Sequence, residues 1–136
     1  MSRHRYDCHV RFSDVDVYGH VNNVKYFEYY QEARLAFIGS LGKAHTEGGF
    51  TVVVGRIEVD YRRPILFRTE PYVVETWVKD VGRSSYVLAS EIRDPLNEGT
   101  VLSGAEAVLV GYDLRSQASR PLTEDERRRL ADAGDG

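Results

Sequence analysis

The segment from Asn22 to Leu41 restricts the fold more than any other part of the chain. It reads as one long helix, with no proline inside it and with Gly39 and Gly42 as stop signals. Val24, Phe27, Leu35 and Ile38 can share one face, and Tyr26, Tyr29, Tyr30, Ala33 and Phe37 another. A helix lying on the outside of a sheet needs a single apolar stripe, so two such faces predict burial on more than one side. The rest of the pattern is strands. Tyr6, Cys8, Val10 and Phe12 alternate along residues 5–12, which predicts a first strand. After a loop at 45–50, strand-like runs cover 51–62, 70–81, 84–93 and 100–112. In the first of these, Ile57, Val59 and Tyr61 oppose Arg56, Glu58, Asp60 and Arg62, and Pro64 closes the run. In the second, Tyr72, Val74, Thr76 and Val78 share a face; in the third, Tyr86, Leu88 and Ile92 alternate. Gly82–Arg83 makes a tight turn between those two, and residues 94–99 carry turn chemistry. No helix separates the later strands, so the sheet should be antiparallel.

The expected class is α+β: one long helix against a curved antiparallel sheet of about five strands, in a single domain over residues 1–136. Thr123, with Glu126 three residues on, predicts a capped short C-terminal helix whose charged surface is solvated. The surplus apolar surface predicts a second copy of the chain as its cover.

Net charge is −3, which gives a nucleic-acid partner no general electrostatic support. No run approaches the roughly 18 apolar residues of a membrane span, and the polar start MSRHRYD has no signal-peptide core. Cys8 is the one cysteine, which fits a reducing compartment, and the expected location is the cytoplasm.

Directly before the helix stands FSDVDVYGHVNN, residues 12–23. Helix capping accounts for part of it: Asn22 or Asn23 suits an N-cap, and Gly19 permits a backbone conformation closed to other residues. Capping leaves Asp14, Asp16 and His20 unexplained. DVDVYG imitates the opening of a calcium loop, but the fifth position is Tyr18 and the twelfth is Lys25 where a bidentate Glu is needed. His4, Cys8 and His9 lack a recognisable metal spacing, and no metal site is expected. There is no nucleophile elbow for a serine hydrolase, and Cys8 has no adjacent base. Carboxylate catalysis at a helix N-terminus uses every unusual residue in the stretch. Free N–H groups polarise a carbonyl and hold its oxyanion, and an upstream carboxylate activates water or attacks directly.

RFSDVDVYGHVNNVKYFEYYQEAR resembles the signature of the hot-dog-fold acyl-CoA thioesterases of the 4-hydroxybenzoyl-CoA thioesterase type. VDYRRPILFRTE, GRSSYVLASEI and AEAVLVGYDL are similar to that family's successive strands. The resemblance implies a sheet wrapped around the helix, and a homodimer or homotetramer with active sites shared between subunits. It implies hydrolysis of acyl-CoA without a cofactor. Asp16 is then the catalytic carboxylate, Asp14 is structural, and the backbone N–H at or near Asn23 serves the oxyanion. His20 either orients Asp16 or the water, or is a plain loop histidine. Gly19 lets substrate approach the backbone, and Asn22 and Tyr26 border it. Arg83, Ser84 and Ser85 are implied to contact coenzyme A, with Arg62 and Arg63 as weaker candidates for the same phosphates. Tyr26, Tyr29, Tyr30 and Phe37 either line an acyl pocket or pack the core. The alternatives are a non-catalytic acyl-binding hot-dog protein, a thioesterase acting on acyl carrier protein conjugates, and a hot-dog hydratase, for which no second motif is present.

Overall fold

A computed structural model describes residues 3–42 and 51–133. The order is β1 (His4–Cys8), a 3-10 turn (Phe12–Asp14), α1 (Lys25–Ser40), β2 (Val52–Tyr61), β3 (Tyr72–Val81), β4 (Ser85–Asp94), β5 (Thr100–Asp113), β6 (Ala118–Ser119) and α2 (Glu124–Asp132). The expected 45–50 loop lies outside the described residues.

All strand pairs are antiparallel, and the order across the sheet is β1-β3-β4-β5-β2, with β6 added against the end of β5. The alternation read from sequence sets which face is inward. Tyr72, Val74, Thr76 and Val78 of β3 are all buried, as are Tyr86, Leu88 and Ile92 of β4. Against this face lies α1, burying Tyr26, Tyr29, Tyr30, Ala33, Phe37 and Ile38. Each fully buried large apolar side chain contributes roughly 1.5–3 kcal/mol, so this stripe dominates the attachment of the helix. Two polar side chains carried inward pair with each other: the Tyr30 hydroxyl donates to Ser103 Oγ at 2.7 Å, and Ser103 Oγ donates to the Asp60 carbonyl at 2.8 Å. That relay ties α1 to β5 and β2.

Four expectations need correction. The first strand stops at Cys8, because the chain turns at Phe12–Asp14, and Phe12 is 80% exposed. Of the two apolar helix faces only one is covered within the chain; Val24, Phe27 and Leu35 stay exposed. The helix begins at Lys25 with Val24 as N-cap, and no side chain caps it. Asn22 and Asn23 contribute carbonyls instead, accepting from Lys25 N–H at 2.9 Å and Tyr26 N–H at 3.3 Å, a tightened first turn. The C-terminal helix is capped as expected, the Thr123 side chain accepting from Glu126 N–H, but it is not simply solvated. Leu130 is fully buried, and the buried Glu126 carboxylate takes both Arg120 Nη groups at 2.7 and 2.8 Å.

The opposite face of the sheet is ionic. Glu75 pairs with Arg3, Arg5 and Arg93, and Glu91 with Arg3 and Arg93. The guanidinium of Arg3 lies 3.5 Å above the ring of Trp77, the sole tryptophan. No helix among the described residues is long and apolar enough to cross a membrane.

Candidate active site

The DVDVYGHVNN loop is built as a small closed device. Val15 and Val21 form an antiparallel bridge, and Asn22 N–H donates to the Asp14 carbonyl at 2.9 Å. Between them the chain reverses through Gly19, whose φ of +77° lies in the left-handed region that glycine alone adopts without strain. A Cβ at Gly19 would meet nothing within 4 Å, so its backbone is open to an approaching molecule.

The two aspartates have opposite environments. Asp14 is fully buried beneath the loop. It accepts from the Arg11 backbone N–H at 3.0 Å, the Arg11 guanidinium at 2.9 Å and the Tyr29 hydroxyl at 2.7 Å. Burial alone would push its carboxyl up, but the bonds from Arg11 and Tyr29 outweigh that and hold it below the usual carboxylate range. Every bond Asp14 makes is structural. Asp16 is exposed. Its Oδ1 accepts from Tyr18 N–H at 2.9 Å and His20 N–H at 3.1 Å, which fixes the carboxylate. Its Oδ2 has no donor among the described residues. His20 therefore holds Asp16 through its backbone, while its ring stands 6.4 Å from that of Tyr18.

Asp16, His20, Asn22, Asn23 and Tyr26 line one cleft of about 430 Å³ with Val21, Tyr61, Arg62, Arg63 and Pro64. The chain after β2 closes it: Val21 N–H donates to the Ile65 carbonyl, Phe67 N–H donates to the Gly19 carbonyl, and His20 bridges Leu66. At the helix end, Lys25, Tyr26 and Phe27 N–H are taken by carbonyls three residues back. Asn23 and Val24 N–H have no acceptor among the described residues and are the donors this end offers. The Tyr61 hydroxyl donates to the Asn23 carbonyl at 3.1 Å, and the Tyr26 and Tyr61 rings meet edge to face at 4.7 Å.

Arg83, Ser84 and Ser85 are not brought to this cleft within one chain. They form the β3–β4 turn at the far end of β3, a ten-residue strand whose first residue, Tyr72, bonds Leu66 beside the cleft. At about 3.3 Å per residue the turn is roughly 30 Å away. It is also in use, since the Arg83 carbonyl accepts from Leu122 N–H at 3.0 Å and the Gly82 carbonyl from Arg127 at 2.8 Å. Tyr29, Tyr30 and Phe37 are core residues and do not line the cleft. Tyr61 and Pro64 are cleft residues that sequence reasoning placed only as parts of a strand end. Their role depends on pairing between residues 19–21 and 65–67, for which no local signal exists. Burial pushes the Cys8 thiol up to about 12, so it is no nucleophile. Among the described residues no three His, Cys, Asp or Glu side chains are grouped as metal ligands.

Residues 10–130 match the sequence profile of the thioesterase-like superfamily. The chain belongs to that superfamily. It is 30% identical over 124 residues to the long-chain acyl-CoA thioesterase FadM of Escherichia coli, covering 89% of this chain and 92% of FadM. A crystal structure of a Thermus thermophilus thioesterase complexed with coenzyme A and zinc superposes with a TM-score of 0.82 at 31% identity, over 95% of this chain and 92% of that one. The DHNA-CoA thioesterase of Staphylococcus aureus, at 21% identity and TM-score 0.83 over 97% and 91% of the two chains, shares the fold. The fold is thus the hot-dog fold that the signature implies.

Proposed function

We propose that this protein hydrolyses acyl-CoA thioesters to the free acid and coenzyme A, with Asp16 as the general base or nucleophile. The observation that carries this reading is the pairing, in one cleft, of a carboxylate fixed through one oxygen with a helix-end N–H that has no acceptor among the described residues. The first can deliver water or attack the carbonyl, and the second can hold the oxyanion. Coenzyme A leaves readily as a thiolate, so little acid assistance is needed. His20 supports the reaction by holding Asp16 Oδ1 through its N–H. The similarity to FadM and to a coenzyme A-bound thioesterase supports the substrate class. The test is release of free thiol from a series of acyl-CoAs of increasing chain length with one aromatic member. Hydrolysis of any member supports the reading; a folded protein inert on all of them, yet active on acyl carrier protein conjugates, would replace it.

The working unit in this reading is a homodimer, or a tetramer of two such dimers. β2 is an edge strand, and its Val53 and Val54 are 42% and 48% exposed, a surface that proteins ordinarily cover or charge. Two β2 edges meeting about a two-fold axis would continue the sheet. They would also carry the second copy's β3–β4 turn towards this cleft. Val54→Lys, which sets like charges beside that axis, is expected to shift the protein to monomer in sedimentation velocity. An unchanged oligomer would place the interface elsewhere. The one cysteine, Cys8, is a buried free thiol, in keeping with a cytoplasmic setting.

A further inference from the structure

Tyr61 ends β2 on the face it shares with Ile57 and Val59, and its ring packs edge to face on Tyr26 at 4.7 Å. That contact accounts for an aromatic residue but not for a hydroxyl, since phenylalanine would serve it equally. The hydroxyl donates to the Asn23 carbonyl at 3.1 Å, and that carbonyl already accepts from Tyr26 N–H at 3.3 Å. It therefore rescues no orphaned group. We propose that Tyr61 is a positioning residue for the thioester reaction: through the Asn23 carbonyl it orients and polarises the Asn23–Val24 peptide, whose N–H holds the substrate's oxyanion. The assignment rests on the acyl-CoA reading above and deepens it by naming what sets the strength of that donor.

A trans peptide is planar, and its C=O and N–H point in opposite directions. The Asn23 carbonyl points along α1 towards Tyr26 N–H, so Val24 N–H points out from the helix start, the end at which Asn22 and Asn23 line the cleft with Asp16. Val24 N–H has no acceptor among the described residues. A second donor on the carbonyl draws electron density towards its oxygen and leaves the N–H of the same peptide more positive, the cooperative effect by which linked hydrogen bonds strengthen one another. Such a donor is worth most when it is fixed before the negative charge develops. Tyr61 is itself held on both sides. The Asp60 carbonyl before it accepts from Ser103 Oγ at 2.8 Å, and the Arg62 and Arg63 N–H groups after it both donate to the Leu102 carbonyl at 3.0 Å. Ser103 Oγ in turn accepts from the Tyr30 hydroxyl of α1 at 2.7 Å. The end of β2 is thus joined to the helix twice, through Tyr30 in the core and through Tyr61 at the cleft, and the second joint falls on the peptide that carries the free N–H.

Tyr61→Phe keeps the ring and removes only the hydroxyl, and an unchanged circular dichroism spectrum checks the fold. With an acyl-CoA as substrate, kcat should fall about 10-fold, the factor that one neutral hydrogen bond of ordinary strength represents, with KM nearly unchanged. A higher KM at constant kcat would make Tyr61 a substrate-binding residue, and unchanged kinetics would leave it a packing residue; either result overturns the assignment. A second readout needs no turnover. An acyl-CoA analogue with a methylene in place of the thioester sulfur, isotope-labelled at its ketone carbon, is bound to each protein, and its C=O stretch is read by infrared difference spectroscopy. A hydrogen bond to the ketone lowers that frequency, so the band should move up in Tyr61→Phe. A lower kcat with an unmoved band would mean that the hydroxyl supports the loop and not the donor, and would overturn the assignment as well. The two proposals fail separately. A band that depends on Tyr61, in a protein that hydrolyses no acyl-CoA, sinks the hydrolase and keeps the polarising contact. Hydrolysis with kcat and band both indifferent to the hydroxyl does the reverse.

Discussion

Asp16→Asn is expected to lower kcat for thioester hydrolysis by at least ~100-fold, the loss typical of removing a general base, with KM and thermal stability nearly unchanged. The substitution is chosen because an asparagine oxygen can still accept from Tyr18 N–H and His20 N–H, the two bonds that hold Asp16 Oδ1. Loop geometry is kept and only the basic, nucleophilic oxygen is lost. Thiol release under saturating substrate gives kcat, and a melting curve on the same sample shows whether the fold has changed. Undiminished turnover would remove Asp16 from the chemistry. A large fall in melting temperature would mean that the aspartate supports the loop more than the reaction.

The second large effect belongs to the other aspartate and is one of stability. Asp14→Ala removes the acceptor of Arg11 N–H, the Arg11 guanidinium and the Tyr29 hydroxyl. The hydroxyl of Tyr29, a buried residue, is then left without its partner, and such losses cost about 2–3 kcal/mol. Urea unfolding should show this. Tyr29→Phe, which leaves Asp14 its Arg11 bonds, should cost less, about 1 kcal/mol. Acid dependence follows from the direction of the Asp14 shift. Its carboxyl lies below the ordinary value near ~3.9. Its stabilisation is therefore complete above that value and is lost as pH falls through the lower, folded-state value. The stability gap between the wild type and Asp14→Asn should stay constant from neutral pH to about 4 and narrow below it. A gap that widens on acidification would mean that the carboxyl is not held ionised.

These two aspartates mark how far the sequence could be read. The family resemblance carried by the D-x-D-x-x-G motif implied a structural Asp14 and a catalytic Asp16, and the first is buried and the second exposed. The inward faces of β3 and β4 followed from alternation because both strands lie inside the sheet, covered by α1 and flanked on each side. Prediction weakened where distant segments meet. An asparagine cap was expected because it is a local device, but the loop had already engaged Asn22 N–H with the Asp14 carbonyl, and the first turn tightened on backbone carbonyls. The C-terminal helix was expected to be solvated on its charged surface, but Arg120, six residues before Glu126, folds over that carboxylate. Tyr61, Arg62, Arg63 and Pro64 entered the cleft only because residues 65–67 pair back onto residues 19–21. The Arg83 turn, drawn to the site by resemblance, was carried to the far end by the length of β3.

The place of Trp77 decides what light can report about this molecule. Its indole sits on β3 under the Arg3 guanidinium, on the sheet face turned away from α1 and among the paired charges of Glu75 and Glu91. A ligand settling between Tyr26 and Tyr61 would therefore leave tryptophan emission almost untouched and alter the tyrosine signal instead. Peeling of β1 from β3 would lift the cation off the indole and change the emission early. Titrations followed through tryptophan would look silent even with the cleft full, and the same fluorophore would make a sensitive gauge of fraying at that edge of the sheet.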